Sequence, residues 1–458
     1  MHLHDKKIFL YSLGCAKNLV DGEFMSALLK EDHFRLTADP AEAAIIIVNT
    51  CGFIESAKEE SIAAILDMAD YKTEGSCEML IVTGCLSERY AEDMKESIPE
   101  ADAILGVHNY KDIVDVIHCF YEAENKDSGD KNGPIVRTEG ERGDVLAHTE
   151  NVDRMPSTDY YAYLKIAEGC SNHCAFCAIP AIRGPFRSRK KEDILAEARS
   201  LIFKGYDELI VIAQDSGFYG LDLYGKRVLA ALLRALCQFY GLKGIRVPYL
   251  YAAGLSDELL AVFAEEEKLV PYFDIPIQHA SDKMLRAMDR SETQEGLRNT
   301  FRKIRKRLPG AVLRSTVMVG YPGETEEDFE ELIDFIREIK FDMLGCFIFS
   351  PEEGTRAASL GRQLPLETKE ERYDKLMLVQ QELSHENLHR FVGRTLEVKL
   401  EDISPDGLYY LGRSAFQAPE VDSSILVLNQ KEEEPVIGSY VDVKILAAEA
   451  YELTGIIV

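Results

Sequence analysis

Two kinds of hydrophobic pattern alternate along the first 388 residues of the chain. Short continuous apolar runs, which mark strands buried on both faces, are separated by stretches with apolar residues at helical spacing. The first such runs are KIFLYSLGC, AAIIIVNTC and EMLIVTGC, separated by GEFMSALLKEDH and AKEESIAAILDMADYK. They predict an α/β domain with a parallel sheet over residues 1–120. Residues 121–155 lose the apolar runs and are rich in Gly, Asp and Glu, which predicts a linker or long surface loop. Between 156 and 388 six further runs follow: YLKIAEGC, ELIVIAQD, GIRVPYL, YFDIPIQH, VLRSTVMVG and MLGCFIFS. Helical stretches such as KEDILAEARSLIFKG separate them, and a partial (β/α)6 TIM-like barrel is expected. Residues 389–458 change to short β segments broken by Gly, Pro and Asp, which predicts a small antiparallel β-barrel.

The candidate chemistry gathers on cysteines. Cys170, Cys174 and Cys177 stand in EGCSNHCAFC, spaced C-x3-C-x2-C, directly after the first run of the predicted (β/α) barrel. Barrels of this kind place their chemistry at the carboxyl ends of the strands. Three thiolates in one tight loop can hold three corners of a four-iron cluster. The fourth iron is then open to a small molecule bearing an amine and a carboxylate, which is how S-adenosylmethionine is bound in radical enzymes. A zinc knuckle competes with this reading, but zinc sites usually supply four ligands, and only His173 lies nearby.

The three N-terminal runs also end in cysteine: Cys15, Cys51 and Cys85, with Gly14, Gly52 and Gly84 beside them. Carboxyl ends of parallel strands share one edge, so these thiols are expected to meet as a second triad, with Asn18 and Asn49 on the same edge. Three buried core cysteines are the alternative. Gln214 and Asp215 end the second run of the (β/α) barrel, and Gln278 and His279 end the fourth. His279 reads equally as a satisfied core histidine or a substrate contact. Cys77, Cys119, Cys237 and Cys346 read as core or incidental residues.

Composition narrows the setting. No run reaches transmembrane length, and MHLHDKKIFLYSLGC lacks the features of a signal peptide, so a cytoplasmic protein is expected. Ten cysteines in that compartment read as metal ligands or core residues, not disulfides. A net charge of −27 disfavours stable nucleic-acid binding and favours basic partners. Two basic stretches stand out. Arg183 to Lys191 lies close enough to the cysteine loop to touch a substrate or cofactor carboxylate, and Arg302 to Arg307 reads as the solvated face of a helix. Residues 389–458 hold six Lys or Arg against twelve Asp or Glu, which suits a basic protein better than RNA.

Over nearly its whole length the chain resembles the radical S-adenosylmethionine methylthiotransferases. The resemblance is carried by SLGCAKNLVD (Ser12 to Asp21), NTCGFIESAKEES (Asn49 to Ser61), TGCLSERY (Thr83 to Tyr90), YAYLKIAEGCSNHCAFCAIPAIRG (Tyr161 to Gly184), DIPIQHASDKMLRAMDR (Asp274 to Arg290) and GYPGETEEDF (Gly320 to Phe329). It implies an N-terminal methylthiotransferase domain, a radical core and a C-terminal TRAM module. The chain is most similar to the branch that modifies an aspartate of ribosomal protein S12. The tRNA-modifying branch typically carries GCQMN where this chain has Gly14-Cys15-Ala16-Lys17-Asn18. Phe349, where the family more often has Tyr, and Tyr251-Ala252-Ala253-Gly254, in place of a usual Tyr-Pro pairing, depart from the pattern without touching a cluster ligand.

The resemblance also implies a mechanism. One four-iron cluster, on Cys170, Cys174 and Cys177, binds S-adenosylmethionine, with Phe176 near the adenine and Gln214 and Asp215 lining the pocket. A deoxyadenosyl radical then takes hydrogen from the β-carbon of an aspartate, a bond too weakly acidic for a side-chain base. A second cluster, on Cys15, Cys51 and Cys85, holds an exogenous sulfur that is methylated and transferred. A sulfur donor and a low-potential reductase such as flavodoxin are implied partners. The alternative is methylthiolation of an adenosine in tRNA.

Overall fold

The computed structural model describes residues 3–124, 133–138, 153–431 and 433–458. Six parallel strands form the N-terminal sheet: β1 Lys7–Ser12, β2 Arg35–Leu36, β3 Ile45–Thr50, β4 Met79–Gly84, β5 Ala103–Gly106 and β6 Ile135–Arg137. Their spatial order is β2-β1-β3-β4-β5-β6. The period of two along β3 and β4 sorts their side chains between two helical layers. Ile45, Ile47, Met79 and Ile81 pack on the helices Ala16–Glu31 and Ile113–Glu124. Ile46, Val48, Leu80 and Val82 pack on Glu55–Ala69 and Cys85–Ser97. The apolar runs predicted three of these strands. β2 and β5, at two and four residues, are too short to carry a readable period. β6 lies inside the stretch read as a linker and adds an edge strand to the sheet; most of that stretch falls outside the described residues.

The central domain contributes β7 Ala162–Lys165, β8 Ala167–Glu168, β9 Arg187–Ser188, β10 Glu208–Ile212, β11 Gly244–Val247, β12 Leu269–Asp274, β13 Val312–Val319 and β14 Met343–Ile348. Six of them form a parallel sheet in chain order from β7 to β14, and β8 pairs with β9 beside it. These six are the predicted runs. Outer-face residues such as Leu164, Leu209 and Val211 join the large core under the flanking helices. Tyr163, Ile210 and Ile212 face the other way and share a cluster with Val20 and Phe24 of the N-terminal domain. The N-terminal domain therefore packs directly on the β7 side of the open sheet.

The last segment is a closed barrel of β15 Thr395–Ile403, β16 Tyr410–Arg413, β17 Ile425–Leu428, β18 Tyr440–Ala448 and β19 Leu453–Ile457. Its pairings are antiparallel except between β17 and β19, which run parallel and complete the closure. The barrel docks against the amino ends of the central strands. Arg413 pairs with Glu208 at 2.7 Å, Lys399 with Asp207 at 2.6 Å, and Arg246 donates to the carbonyl of Ser414 at 3.0 Å. The loop between β16 and β17 brings Glu420 to the hydroxyls of Tyr161 and Tyr163, at 2.6 and 2.9 Å. That end of the sheet is thereby covered, and the carboxyl end is left for the cysteines.

Candidate active site

β1, β3 and β4 are neighbours in register, with Ser12 opposite Asn49 and Thr50 opposite Gly84, so the segments that follow them leave the sheet side by side. Cys15 is the N-cap of the helix Ala16–Glu31, Cys51 follows β3, and Cys85 opens the helix Cys85–Ser97. The approach is close enough to demand glycine. A Cβ on Gly14, whose φ is +88°, would stand 2.7 Å from Cys51 Cβ; one on Gly52 would stand 2.7 Å from Leu86 Cα. Asn18 donates to the Leu13 carbonyl at 2.7 Å, and Asn49 donates to the Asn18 carbonyl at 2.7 Å, so both predicted asparagines lace this edge together.

Cys170, Cys174 and Cys177 lie in the loop between β8 and the short helix Ile179–Arg183. Backbone bonds hold it: Cys170 N–H donates to Gly184 at 3.1 Å, Cys177 N–H to Cys174 at 3.1 Å, and Ala175 N–H to Met288 at 3.0 Å. Phe176 packs on the cluster that contains Met284, Met288, Tyr321 and Phe349. The hydroxyl of Tyr251 lies 3.9 Å from Cys174 Sγ, so the Tyr251-to-Gly254 departure, expected to leave the cluster ligands untouched, does reach one of them. Asn172 donates to Asp215 and Gln214 donates to Glu168, both at 3.0 Å. Asp215 Oδ1 and Gln214 Oε1 remain buried with no hydrogen-bond partner.

The two sets of thiols share a wall. Cys85 packs on Ala178, the residue after Cys177, and on Ile182 of the short helix that follows. Next to them Arg183 donates to Glu168 at 3.0 Å, to Asp21 at 3.0 Å and to Asn18 Oδ1 at 3.3 Å. Lys165 bonds the same two carboxylates, Glu168 at 3.0 Å and Asp21 still closer. Burial opposes ionisation of Glu168, yet Arg183 and Lys165 hold its carboxyl well below the ordinary range. Burial pushes the thiols of Cys85 and Cys177 up to about 12 and raises Cys51 and Cys170 as well; Arg183 pulls Cys85 the other way. Metal binding reverses this by releasing the protons.

Sequence reasoning missed most of this polar wall. The basic stretch Arg183 to Lys191 is not an open patch: Arg183 and Arg189 are buried and bound to Asp21, Glu168 and Glu197. Its signal was Lys165 and Glu168, two charges inside the apolar run YLKIAEGC. Lys17 and Tyr249 were missed too. Lys17 Nζ lies 3.3 Å from the centroid of the Tyr249 ring, and burial lowers its pKa to about 8. Tyr249 has φ +59°, a strained conformation for a tyrosine. His279 resolves as a core histidine: its Nδ1 accepts from the Ala280 and Ser281 amides at 2.9 and 3.0 Å. The stretch Arg302 to Arg307 lies on a helix, Gln294–Arg307, whose Leu297, Phe301 and Ile304 face the core.

All ten cysteines are free thiols. Among the described residues no three His, Cys, Asp or Glu side chains converge on one single-ion position. In a polynuclear cluster each thiolate binds a different iron, so the ligands stand further apart. The all-sulfur donor sets and the two orphaned acceptors beside Cys170 fit such a cluster with a small polar cofactor.

A radical SAM superfamily profile matches residues 164–336, the uncharacterized protein family UPF0004 matches 7–106, and a TRAM domain matches 392–458. The chain is 46% identical to the ribosomal protein uS12 methylthiotransferase RimO of Acetivibrio thermocellus, over 98% of both chains. It is 45% identical to the protein of the same name from Clostridioides difficile, again over 98% of both. The chain belongs to the RimO family. It is a radical SAM methylthiotransferase, and the three profiles fall on the three domains described above. Among solved structures it shares the fold of the radical S-adenosylmethionine methyltransferase TsrM from Kitasatospora setae, with a TM-score of 0.56 at 14% identity over 77% of each chain. Among the described residues, no helix is long and apolar enough to cross a membrane.

Proposed function

We propose that this chain adds a methylthio group to the β-carbon of an aspartate in ribosomal protein uS12, using S-adenosylmethionine and two four-iron clusters. Cys170, Cys174 and Cys177 would hold one cluster, and Cys15, Cys51 and Cys85 the other. The observation that carries this reading is the packing of Cys85 on Ala178 and Ile182, one and five residues after Cys177. That contact supports two thiol sites lying against one wall, which a reaction needing both would require. Bound there, the clusters would supply the electron that splits S-adenosylmethionine into a hydrogen-abstracting radical, and the sulfur that is transferred.

The chain's own residues bind and shield. Gln214 Oε1 and Asp215 Oδ1 are unpaired acceptors for the ammonium or hydroxyl groups of the cofactor, and Phe176 offers a ring to its adenine. The buried quartet of Asp21, Lys165, Glu168 and Arg183 seals the seam between the domains against water. In the TRAM barrel Lys399 and Arg413 are spent on Asp207 and Glu208, and Arg390 on Asp342 at 2.8 Å. What the barrel presents outward is therefore predominantly acidic, which favours a basic ribosomal protein over a phosphate backbone. A flavodoxin-type reductase and a sulfur donor complete the cycle in the cytoplasm.

The test is an anaerobic reaction of reconstituted enzyme with S-adenosylmethionine, reductant and sulfide, offered uS12 and bulk tRNA side by side and read by mass spectrometry. A methylthio mass gain on an aspartate of uS12 is expected. A gain confined to tRNA adenosine would overturn the assignment.

A further inference from the structure

Lys17 is the second residue of the helix Ala16–Glu31, where unpaired backbone N–H groups already make the helix end positive. A lysine is unfavourable there, and this one is only 7% exposed. Its ammonium makes no hydrogen bond or ion pair with any described residue and rests on the face of the Tyr249 ring. The carboxylates around it are engaged elsewhere. Asp274 accepts from the Tyr249 amide at 3.2 Å and from Arg314 at 3.3 Å, while Glu168 belongs to Lys165 and Arg183. The Cys15 thiol is the acidic group that most favours its charge, and as a cluster ligand it would be committed to iron. A buried cation whose neighbouring anions are all committed is costly unless a ligand supplies another. Lys17 stands two residues from Cys15 and beside Arg183, at the wall that both thiol sets share.

We propose that the Lys17 ammonium receives the side-chain carboxylate of the substrate aspartate. This rests on the reading of a uS12 aspartate as substrate. In an aspartate the carboxylate is one bond from the β-carbon, so an ion pair at Lys17 fixes which C–H bond faces the reacting centre. The Tyr249 ring holds the ammonium by cation–π attraction without neutralising it. An asparagine at the same position has the same shape and brings no counter-charge.

The experiment is a calorimetric titration of the cluster-loaded enzyme with uS12 and with uS12 whose target aspartate is replaced by asparagine. Wild type, Lys17→Met and Lys17→Arg are compared at equal iron content. Wild type is expected to prefer the aspartate form by about 10- to 100-fold, the range of a charge-assisted bond. Lys17→Met loses that preference, and Lys17→Arg restores most of it. If Lys17→Met discriminates as wild type does, the proposal falls while the assignment of uS12 stands. If wild type binds neither form, both fall together.

Discussion

Arg183 Nη2 lies 3.0 Å from Asp21 Oδ2, although one residue follows the cysteine loop of the radical core and the other sits in the first helix of the N-terminal domain. Both are buried, and Glu168 and Lys165 complete a quartet with two charges of each sign. Removing one member strands an uncompensated charge. Arg183→Met should lower the unfolding free energy by about 3–5 kcal/mol, read as an earlier urea transition. Arg183→Lys keeps the charge but loses the planar fork that serves Glu168 and Asp21 together, and should cost less. An unchanged transition in Arg183→Met would mean that the quartet does not hold the domains.

Glu352 makes a second tie on the opposite side of the sheet. It follows β14, is buried, accepts the Glu55 amide at 3.0 Å, and pairs with Lys58 at 3.2 Å and Arg89 at 3.4 Å. Arg89 in turn donates to the Gly52 carbonyl at 2.7 Å, one residue from Cys51. In Glu352→Ala, amide exchange across residues 52–58 should accelerate about tenfold or more, as the clamp on that loop opens. Deoxyadenosine formation should persist while methylthio transfer to uS12 falls about tenfold or more, because the two thiol sets lose their mutual alignment. Equal loss of both products would place the damage in the radical core instead.

The elements legible in the sequence were those whose burial is written along the chain itself. Ile45 to Val48 is apolar at every position because helices cover both faces of β3, and the cysteines after β1, β3 and β4 stand where parallel strands end. The interdomain wall was not legible. Arg183 read as a contact for a substrate or cofactor carboxylate, and nothing in the sequence pairs it with Asp21, or Glu352 with Lys58 and Arg89, until the register of one domain on another does so. Lys17 did leave a local signal. A cation in the first turn of a helix conflicts with the helix dipole, and such conflicts mark functional positions. The parallel pairing of β17 with β19 had no signal, since strand direction within a closed barrel depends on long-range connections.

The two cysteine sets should separate by substitution. Replacing Cys170, Cys174 and Cys177 with alanine should abolish deoxyadenosine formation. Replacing Cys15, Cys51 and Cys85 should leave that step and abolish methylthio transfer. Each triple variant should keep about four of about eight irons per chain, measured against protein after anaerobic reconstitution. Full iron content in the Cys15, Cys51 and Cys85 variant would show that those thiols hold no cluster.

His279 gives the fold a defined response to acid. Two backbone amides point at its Nδ1, so the neutral ring carries its proton on Nε2, which faces Glu324 at 3.8 Å without a hydrogen bond. Burial lowers its pKa to about 3, although Asp328 pulls the other way; an unfolded histidine titrates near 6.5. Between those values the unfolded chain binds a proton that the folded chain refuses. Stability contributed by the neutral ring is therefore complete above about 6.5 and declines as pH falls toward 3, by at most about 1.4 kcal/mol per pH unit. His279→Gln cannot titrate. From pH 7.5 to 5.5, wild type should lose about 1.4 kcal/mol more unfolding free energy than His279→Gln does, whatever the variant's own starting stability. Parallel pH profiles in urea denaturation would show that the folded protein accepts the proton at His279 as readily as the unfolded chain.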